Sequence, residues 1–499
     1  MFVVHRHNVS LKKNLLYNFL LSLSQIAFPL ISIPYISRVL DKEGLGNVGT
    51  IDSLTYYFIV IAEFGVATYG IREVARKRDE PEKLNTVVSE LLSLHLLTSA
   101  ISTVLFIVFT TIVYQKVGDV RLILLGLSFL LVNSFACEWY FWGVEQFRYI
   151  AFRSITVRLL GLAAIFMLVK APEDYVIYYA IICLSAIAIL VWNFVKMASE
   201  VKISFRKINW RKHIPFVSVT YKISLVYGVV LLLDNVFLRL LTTGAAVAYY
   251  MFAAKVVRIG GNVVTDALLV LYPRTVSLVH KSENQALQST ISRSMQLIFL
   301  TTIPMSAGLF LLAEKFTTVY FGTGMLRIAP NLKILALYPV VKAYSLFLDK
   351  QILMPFNKEK LVLRGLTAGA IVFVVATLPL SHFYADIGTS LAVIIAEVTV
   401  LLFNYYYAFQ LNSGLKVFEG RTILQAVAGA ALFIPIVYLA EWLLHKEVTQ
   451  LVATIVLCII VYGVFLLSVK NDFLLSLSRS FLVKNPSKNQ NTPSLKKQV

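Results

Sequence analysis

Long apolar runs bounded by short polar clusters recur along the whole chain. Reading each run between its flanking clusters predicts fourteen helices, near 14–37, 48–70, 87–114, 121–143, 150–169, 175–197, 214–238, 245–272, 288–312, 331–354, 361–383, 387–410, 422–444 and 449–469. A helix needs about 20 apolar residues to cross a bilayer core, so each run is long enough, or nearly so, to span one. The first run is too long for the core of a cleavable signal and lacks a small-residue cleavage site, so it is expected to persist as a helix. The tail after Lys470, rich in Ser, Asn and Lys, reads as disordered.

Composition sharpens this picture. Of 499 residues, 58% are hydrophobic and 15% charged, far from globular usage, and the mean hydropathy is +0.75. The expected fold is therefore an all-α polytopic membrane protein with about 14 transmembrane helices and no large soluble domain. Cys137, Cys183 and Cys458 lie far apart inside apolar runs, which excludes a disulfide framework or a Cys-based metal site. No window matches a Gly-rich phosphate loop ending in Gly-Lys-Ser/Thr, so an ATP motor in this chain is not expected. Energy would then come from an ion gradient, a partner or the substrate's own gradient. The histidines at 5, 7, 95, 213, 280, 382 and 445 are scattered over different segments. No metal site, catalytic triad or cofactor is expected from them.

A net charge of +19 raises the question of nucleic acid, which would require one contiguous basic surface. The distribution says otherwise. With residues at helix ends counted in the adjoining connection, 29 of the 46 Lys and Arg fall on the side of the two termini, nine on the other and eight within helices. That asymmetry follows the positive-inside rule for fourteen helices with both termini cytoplasmic, and makes a cell-membrane, multi-pass protein with no nucleic-acid partner the expectation. The densest runs, Arg72-Arg76-Lys77-Arg78 and Lys202-Arg206-Lys207-Arg211-Lys212, are placed to touch anionic headgroups of membrane lipids.

A shift of 203 residues aligns several features. Tyr69-Gly70-Ile71-Arg72 falls on Tyr272-Pro273-Arg274, and Ser89-Glu90 on Ser292-Arg293. The first and seventh helices end in Arg38 and Arg239, each followed within six residues by Gly44 and Gly244. A shift spanning six helices preserves orientation, so the halves would be parallel repeats about an axis along the membrane normal. The expected organisation is an N-terminal lobe over 1–198, a basic linker over 199–213, a C-terminal lobe over 214–411, two extra helices over 412–470 and a tail over 471–499.

In the eighth helix, Lys255, Arg258, Asn262 and Asp266 share a narrow arc. The 203-shifted positions in the second helix are Asp52, Thr55, Ile59 and Glu63, again charged at both ends of one face. A charge near the centre of a lipid-embedded helix costs about 2.5–3.5 kcal/mol on insertion scales, so these groups should face a water-filled cavity or a partner. Gln25, Ser32 and Arg38 in the first helix, Arg158 in the fifth, and Lys222, Asp234 and Arg239 in the seventh add to a polar lumen between the halves. Five cations against four acids in these helices, with Arg38 as a sixth, leave a cationic surplus near the seventh and eighth helices. Such a surplus suits an anion, and Lys with Arg suits a diphosphate. The same charges could instead form a structural network, Asp234 with Lys255 or Glu63 with Arg258. Asp52, Glu63, Asp234, Asp266 and Glu397 are the candidates to couple a proton or sodium ion. Asp349-Lys350 reads as a solvated helix end beside Asn357-Lys358-Glu359-Lys360.

Trp139, Tyr140, Phe141 and Trp142 are expected in an aromatic interface belt, with sugar stacking as the sharper alternative. Pro29, Pro34, Pro215, Pro304 and Pro339 are candidate helix kinks.

Pro34-Tyr35-Ile36-Ser37-Arg38-Val39-Leu40 through Glu43-Gly44-Leu45-Gly46, then Phe64-Gly65 and Tyr69-Gly70-Ile71-Arg72-Glu73-Val74-Ala75-Arg76, resemble the N-terminal signature of polysaccharide-transporter (Wzx-type) flippases. Trp142-Gly143-Val144-Glu145-Gln146-Phe147-Arg148-Tyr149-Ile150 and Gln351-Ile352-Leu353-Met354-Pro355-Phe356-Asn357-Lys358-Glu359-Lys360 are similar to two further segments of that family, so the resemblance spans roughly 10–415. It implies the multidrug/oligosaccharidyl-lipid/polysaccharide exporter fold, two six-helix lobes plus two helices. The task it implies is moving a polyprenyl diphosphate-linked oligosaccharide between leaflets, with a polysaccharide polymerase and a chain-length regulator as associated partners. Two alternatives stay open: a drug or metabolite/cation antiporter of the same fold, and a membrane glycan polymerase or ligase. Such enzymes usually carry a long outer loop, whereas every outer connection here is short.

Overall fold

The computed structural model describes residues 11–206, 208–411 and 414–471, and among these it contains helices and turns but no strand. His5, His7, Lys207 and the tail expected to be disordered lie outside the described residues, except for Asn471.

Helix α1 spans Leu11–Val39, with Pro29 and Pro34 inside it. Helix α2, Lys42–Glu63, starts where the Asp41 carboxylate accepts from the Gly44 amide. It stops where Phe64 and Gly65 both take positive φ, 46° and 76°. The chain then bends by 43° into α3, Val66–Lys77. Helix α4, Pro81–Val117, begins on a proline and ends on Gly118 at φ 70°. After α5, Val120–Asn133, four non-helical residues precede the short α6, Glu138–Gly143. Then come α7, Phe147–Leu168, and α8, Tyr175–Glu200. Helix α9, Ile214–Leu232, is followed by α10, Asp234–Leu241, and by the 37-residue α11, Gly244–His280, capped by the Thr243 hydroxyl. The remainder comprises α12 (Asn284–Leu311), α13 (Ala313–Phe321), α14 (Ile328–Leu335), α15 (Tyr338–Phe347) with a π turn over Leu348–Leu353, α16 (Glu359–Gln410), α17 (Gly420–Ala431), α18 (Phe433–Leu443) and α19 (Glu447–Ser468).

Among the described residues nine helical segments are long and apolar enough to cross a membrane, and two bent pairs raise the number to eleven. The 52-residue α16 is itself two antiparallel limbs. Its backbone leaves the helical region at Ala385 (φ 49°, ψ −125°), and beyond it Gly369 packs on Val400, Gly365 on Asn404, and the Ser381 and Thr389 hydroxyls bond at 2.7 Å. Helix α11, interrupted by its charged stripe, and α5, only 14 residues long, are not among those spans. With both counted, the architecture is the expected polytopic all-α one. Helix α13 falls in what the apolar pattern leaves as a connection, because Glu314 and Lys315 end the run there.

The largest buried cluster joins Ile51, Leu54 and Phe58 of α2 to Val247, Tyr250 and Ala254 of α11, with α5, α8, α14 and α16 around them. Bulky apolar side chains elsewhere point outward, as in Trp442 of α18 and Ile459 of α19, as a lipid-facing surface allows.

Two expectations need correcting. Trp139, Tyr140 and Phe141 do not form an interface belt. They are buried on α6, with Trp139 against Gly70 of α3, because the break after Asn133 turns this short helix into the bundle. Pro215 and Pro339 do not kink helices: each sits in the first turn of its helix, where the missing amide costs nothing.

Candidate functional site

The site lies where α2 and α11 run side by side. At their N-terminal ends the packing is close: a Cβ on Gly46 would overlap the Gly244 carbonyl, and one on Gly49 would overlap the Met251 sulfur. Glycine is required at Gly46 for this backbone approach. The Glu43 carboxylate accepts from the Gly244 and Ala245 amides at 2.8 and 2.9 Å, at the positive end of α11, and pairs with Arg239 at 3.0 Å. Arg239 also donates to the Asn47 side chain and to the Thr242 and Lys116 carbonyls. This end of the interface is sealed.

One turn further along, the polar stripes meet. Lys255 of α11 lies within electrostatic reach of Asp52 of α2, and both are half-buried. The Asp52 Oδ1 atom is buried without a hydrogen-bond partner. The Arg258 guanidinium donates to the fully buried Asp234 at 2.6 Å and to the Leu231 carbonyl at 3.2 Å. Asp234 also accepts from the Tyr250 hydroxyl at 2.6 Å and from the Asn235 amide. Pairing therefore runs Asp52 with Lys255 and Asp234 with Arg258, rather than Asp234 with Lys255 or Glu63 with Arg258. Further along α11, Asn262 and Asp266 are exposed, so the stripe passes from the sealed end into open space.

The other candidate residues separate into groups. The Arg38 guanidinium bonds the carbonyls of Pro34, Val319 and Tyr320, tying the end of α1 to α13. Arg158 donates to the Ser24 hydroxyl at 2.6 Å, linking α7 to α1. Gln25 and Lys222 are exposed. Glu63 is half-buried and feels the charge of Glu138, which itself accepts from the buried Arg153. Glu397 pairs with Lys342 of α15 at 2.9 and 3.0 Å, apart from the α2/α11 contact. Asp349 is not a solvated helix end: it is buried in the π turn, with Oδ1 unpartnered. Arg121 and Tyr175 bond the Asp119 carboxylate, between α4 and α5; partial burial raises its pKa, but these bonds hold it below the usual carboxylate range.

The sequence reading missed Glu43, Asn47, Tyr250 and Lys342. Glu43 and Asn47 precede the apolar run assigned to the second helix; Glu43 entered only as part of the family-like segment Glu43-Gly44-Leu45-Gly46, and neither was given a role. Lys342 was visible as a lone cation inside an apolar run, which is itself a signal. No group of three or more His, Cys, Asp or Glu able to hold a metal ion occurs among the described residues. All three cysteines are buried and unpaired.

Comparison with known proteins supplies the context. A family model described as polysaccharide biosynthesis protein matches residues 11–279. A curated relative named putative O-antigen transporter, from Shigella dysenteriae, is 25% identical over 400 residues, covering 79% of this chain and 98% of its own. A second of that name, from Escherichia coli (strain K12), is 23% identical over 414 residues, covering 80% and 96%. Among solved structures, lipid II flippase MurJ in an inward closed conformation matches with a TM-score of 0.70 at 15% identity, covering 92% of this chain and all of the other. That likeness concerns the fold.

Proposed function

The chain belongs to the polysaccharide biosynthesis protein family, and from that premise we propose that it is a flippase for a polyprenyl diphosphate-linked oligosaccharide, working by alternating access. The observation that carries the reading is the placement of Lys255 and Arg258 one turn apart on α11, next to the sealed end of the α2/α11 contact and continuous with an open stripe. A diphosphate is recognised by an ammonium as a point charge and by a guanidinium as a fork. The resting partners of the two cations, Asp52 and Asp234, keep them from being unpaired in a low-dielectric bundle.

In this reading 1–198 and 214–411 act as two lobes and both termini lie in the cytoplasm. The sealed ends of α2 and α11 then face outward and the open stripe faces the cytoplasm. A diphosphate entering from the cytoplasmic leaflet displaces the carboxylates and takes Lys255, Arg258 and the exposed Lys222, while the glycan occupies the polar cleft and the polyprenyl tail stays in lipid. Parting of the Gly46/Gly244 contact and loss of the Glu43–Arg239 pair would open the other side. An ion gradient is the proposed driving force.

The test is the leaflet distribution of the lipid-linked oligosaccharide in cells depleted of the protein, read with a membrane-impermeant glycan label on oriented vesicles. Cytoplasmic-leaflet accumulation is expected. Accumulation of unpolymerised units in the outer leaflet would replace the flippase reading with a polymerase or ligase, and an unchanged distribution would favour an antiporter of small molecules.

A further inference from the structure

A second polar seam runs inside the C-terminal part of the bundle, away from the α2/α11 contact. Tyr338, Lys342, Ser345 and Asp349 succeed one another at spacings of four, three and four along α15 and its π turn, so they share one face. The second limb of α16 faces them with Glu397, bonded to Lys342, and Asn404, whose amide donates to Ser345 at 3.0 Å. All six are buried. The Lys342 ammonium also sits 4.4 Å from the centre of the Tyr227 ring of α9.

Two features set this seam apart from a closed structural ion pair. Asp349 Oδ1 and Asn404 Oδ1 are buried without hydrogen-bond partners, as are both polar atoms of Gln351 beside Asp349. The lysine has two carboxylates in electrostatic range, Glu397, which it bonds, and Asp349, which it does not. Asp349 and Gln351 lie in the π turn, and such turns recur at functional sites.

The seam also continues in both directions. Asp349 adjoins Lys350, near the polar segment at 357–360. At the other end Tyr338 lies within electrostatic reach of Lys342, Glu397 and Tyr227 on one side and of Arg258 on the other. Arg258 leads to Tyr250 and Asp234. Ionisable groups within electrostatic reach of one another thus link the buried Asp349 to the cation pair of the candidate site.

We propose that Glu397, Lys342 and Asp349 form a proton-binding site in which Asp349 carries the proton while the Lys342 ammonium rests on Glu397, and the ammonium moves from Glu397 toward Asp349 when that proton is released. The balance is simple: the Asp349 carboxylic acid gives its proton to water, leaving hydronium and a carboxylate. The ammonium keeps its three protons and is then shared between two carboxylates. The site loses one positive charge, within electrostatic reach of Tyr338 and, through it, of Arg258. The lysine occupies the place a free cation would need beside Glu397, so the ligand is a proton rather than a metal ion. This rests on the flippase reading only for its use in coupling; the site itself stands on the seam.

The test uses the full chain in lipid vesicles and no transported substrate, so its outcome is independent of the flippase reading. Infrared difference spectra are recorded while pH is stepped between about 5 and 9, around the range where perturbed carboxyls titrate. Wild type should show a protonated-carboxyl C=O band that grows as pH falls and is absent in Asp349→Asn. In Glu397→Gln the ammonium has only Asp349 to pair with, so the band should appear only at lower pH. In Lys342→Met it should persist to higher pH. A wild type with no titrating band attributable to Asp349 would leave the Lys342–Glu397 pair a permanent structural one and overturn the proposal. So would displacement of the band by sodium but not by choline at fixed pH. If Asp349→Asn does not fold, the opposite responses of Glu397→Gln and Lys342→Met decide alone.

Discussion

Asp52 and Lys255, 203 positions apart in the chain, face each other across the α2/α11 contact. That separation is also the shift which aligns the two halves of the sequence. Residues equivalent under a two-fold operation meet only near its axis, where each copy finds its counterpart. Gly49 against Met251, 202 apart, lies on the same line. In the proposed two-lobe reading one lobe supplies the acid and the other the base, so a ligand that drew off either partner would loosen the contact between them.

The first expectation concerns the cations. Lys255→Ala and Arg258→Ala should each reduce glycan export at least about tenfold at equal membrane abundance, since a charge-assisted hydrogen bond contributes about 1.5–3 kcal/mol. Exchanging the charges, Asp52→Lys with Lys255→Asp, should keep membrane abundance but not recover export, because the base then sits on the wrong helix. Export measured by surface glycan labelling checks both, and full export in either single variant would remove these residues from the site.

The second concerns the seal. Gly46→Leu introduces a side chain where the Gly244 backbone lies, and the two helices cannot approach as before. The sealed end should part, so that a cysteine placed at Asn47, now bonded to Arg239, becomes reactive to a membrane-impermeant maleimide applied from outside. Labelling no faster than in the same cysteine variant with Gly46 intact would show that this end does not open outward.

How much of this was written in the sequence follows from what each residue does. Most spans were legible because lipid demands continuous apolar runs, though α13 and the breaks at Phe64-Gly65 and after Asn133 were not, and the stripe Lys255–Arg258–Asn262–Asp266 was legible because charges in such runs are rare. Partnership was not. Periodicity assigns a residue to a face but does not say which acid reaches which base, so Asp234 was as free to pair with Lys255 as with Arg258. Glu43 and Asn47 were given no role because a helix end that closes on another helix looks, in sequence, like any polar connection. Asp349 was misjudged for the converse reason: neighbouring lysines suggested solvent, whereas its spacing from Lys342 and Ser345 puts it on the buried face they share.

A third expectation is about stability and pH. Asp119 accepts from its own helix's Arg121 amide and side chain and from the Tyr175 hydroxyl of α8 at 2.9 Å. Its folded-state pKa lies below the usual value, so its contribution is present above the unfolded pKa of about 3.9 and is lost as pH falls through the lower, folded one. Asp119→Asn keeps the cap but removes the charge, and should lower thermal stability in detergent at neutral pH by about 1 kcal/mol, the difference between a charge-assisted and a neutral hydrogen bond. The gap to wild type should close under strong acid. A constant difference across pH would mean that the carboxylate charge is not what matters.

The last concerns Asp234, which in the proposed cycle would compete with a diphosphate for Arg258. As long as the guanidinium donates to this carboxylate at 2.6 Å, a diphosphate must displace an existing charge-assisted bond, and the displaced carboxylate provides the means of ejecting the ligand later. Asp234→Asn weakens that competitor while keeping its shape and its contact with Tyr250, so binding of a short polyprenyl diphosphate to purified protein should tighten by roughly tenfold, the equivalent of about 1.4 kcal/mol. Export should fall in the same variant, because a ligand bound equally well before and after reorientation is not released. Tyr250→Phe separates the two effects: it removes one hydrogen bond to Asp234 but leaves the ion pair, and should shift binding and export only slightly. Weaker diphosphate binding in Asp234→Asn would mean that the carboxylate orients Arg258 for the ligand instead of contending with it, and the exchange of partners at the centre of the cycle would have to be abandoned.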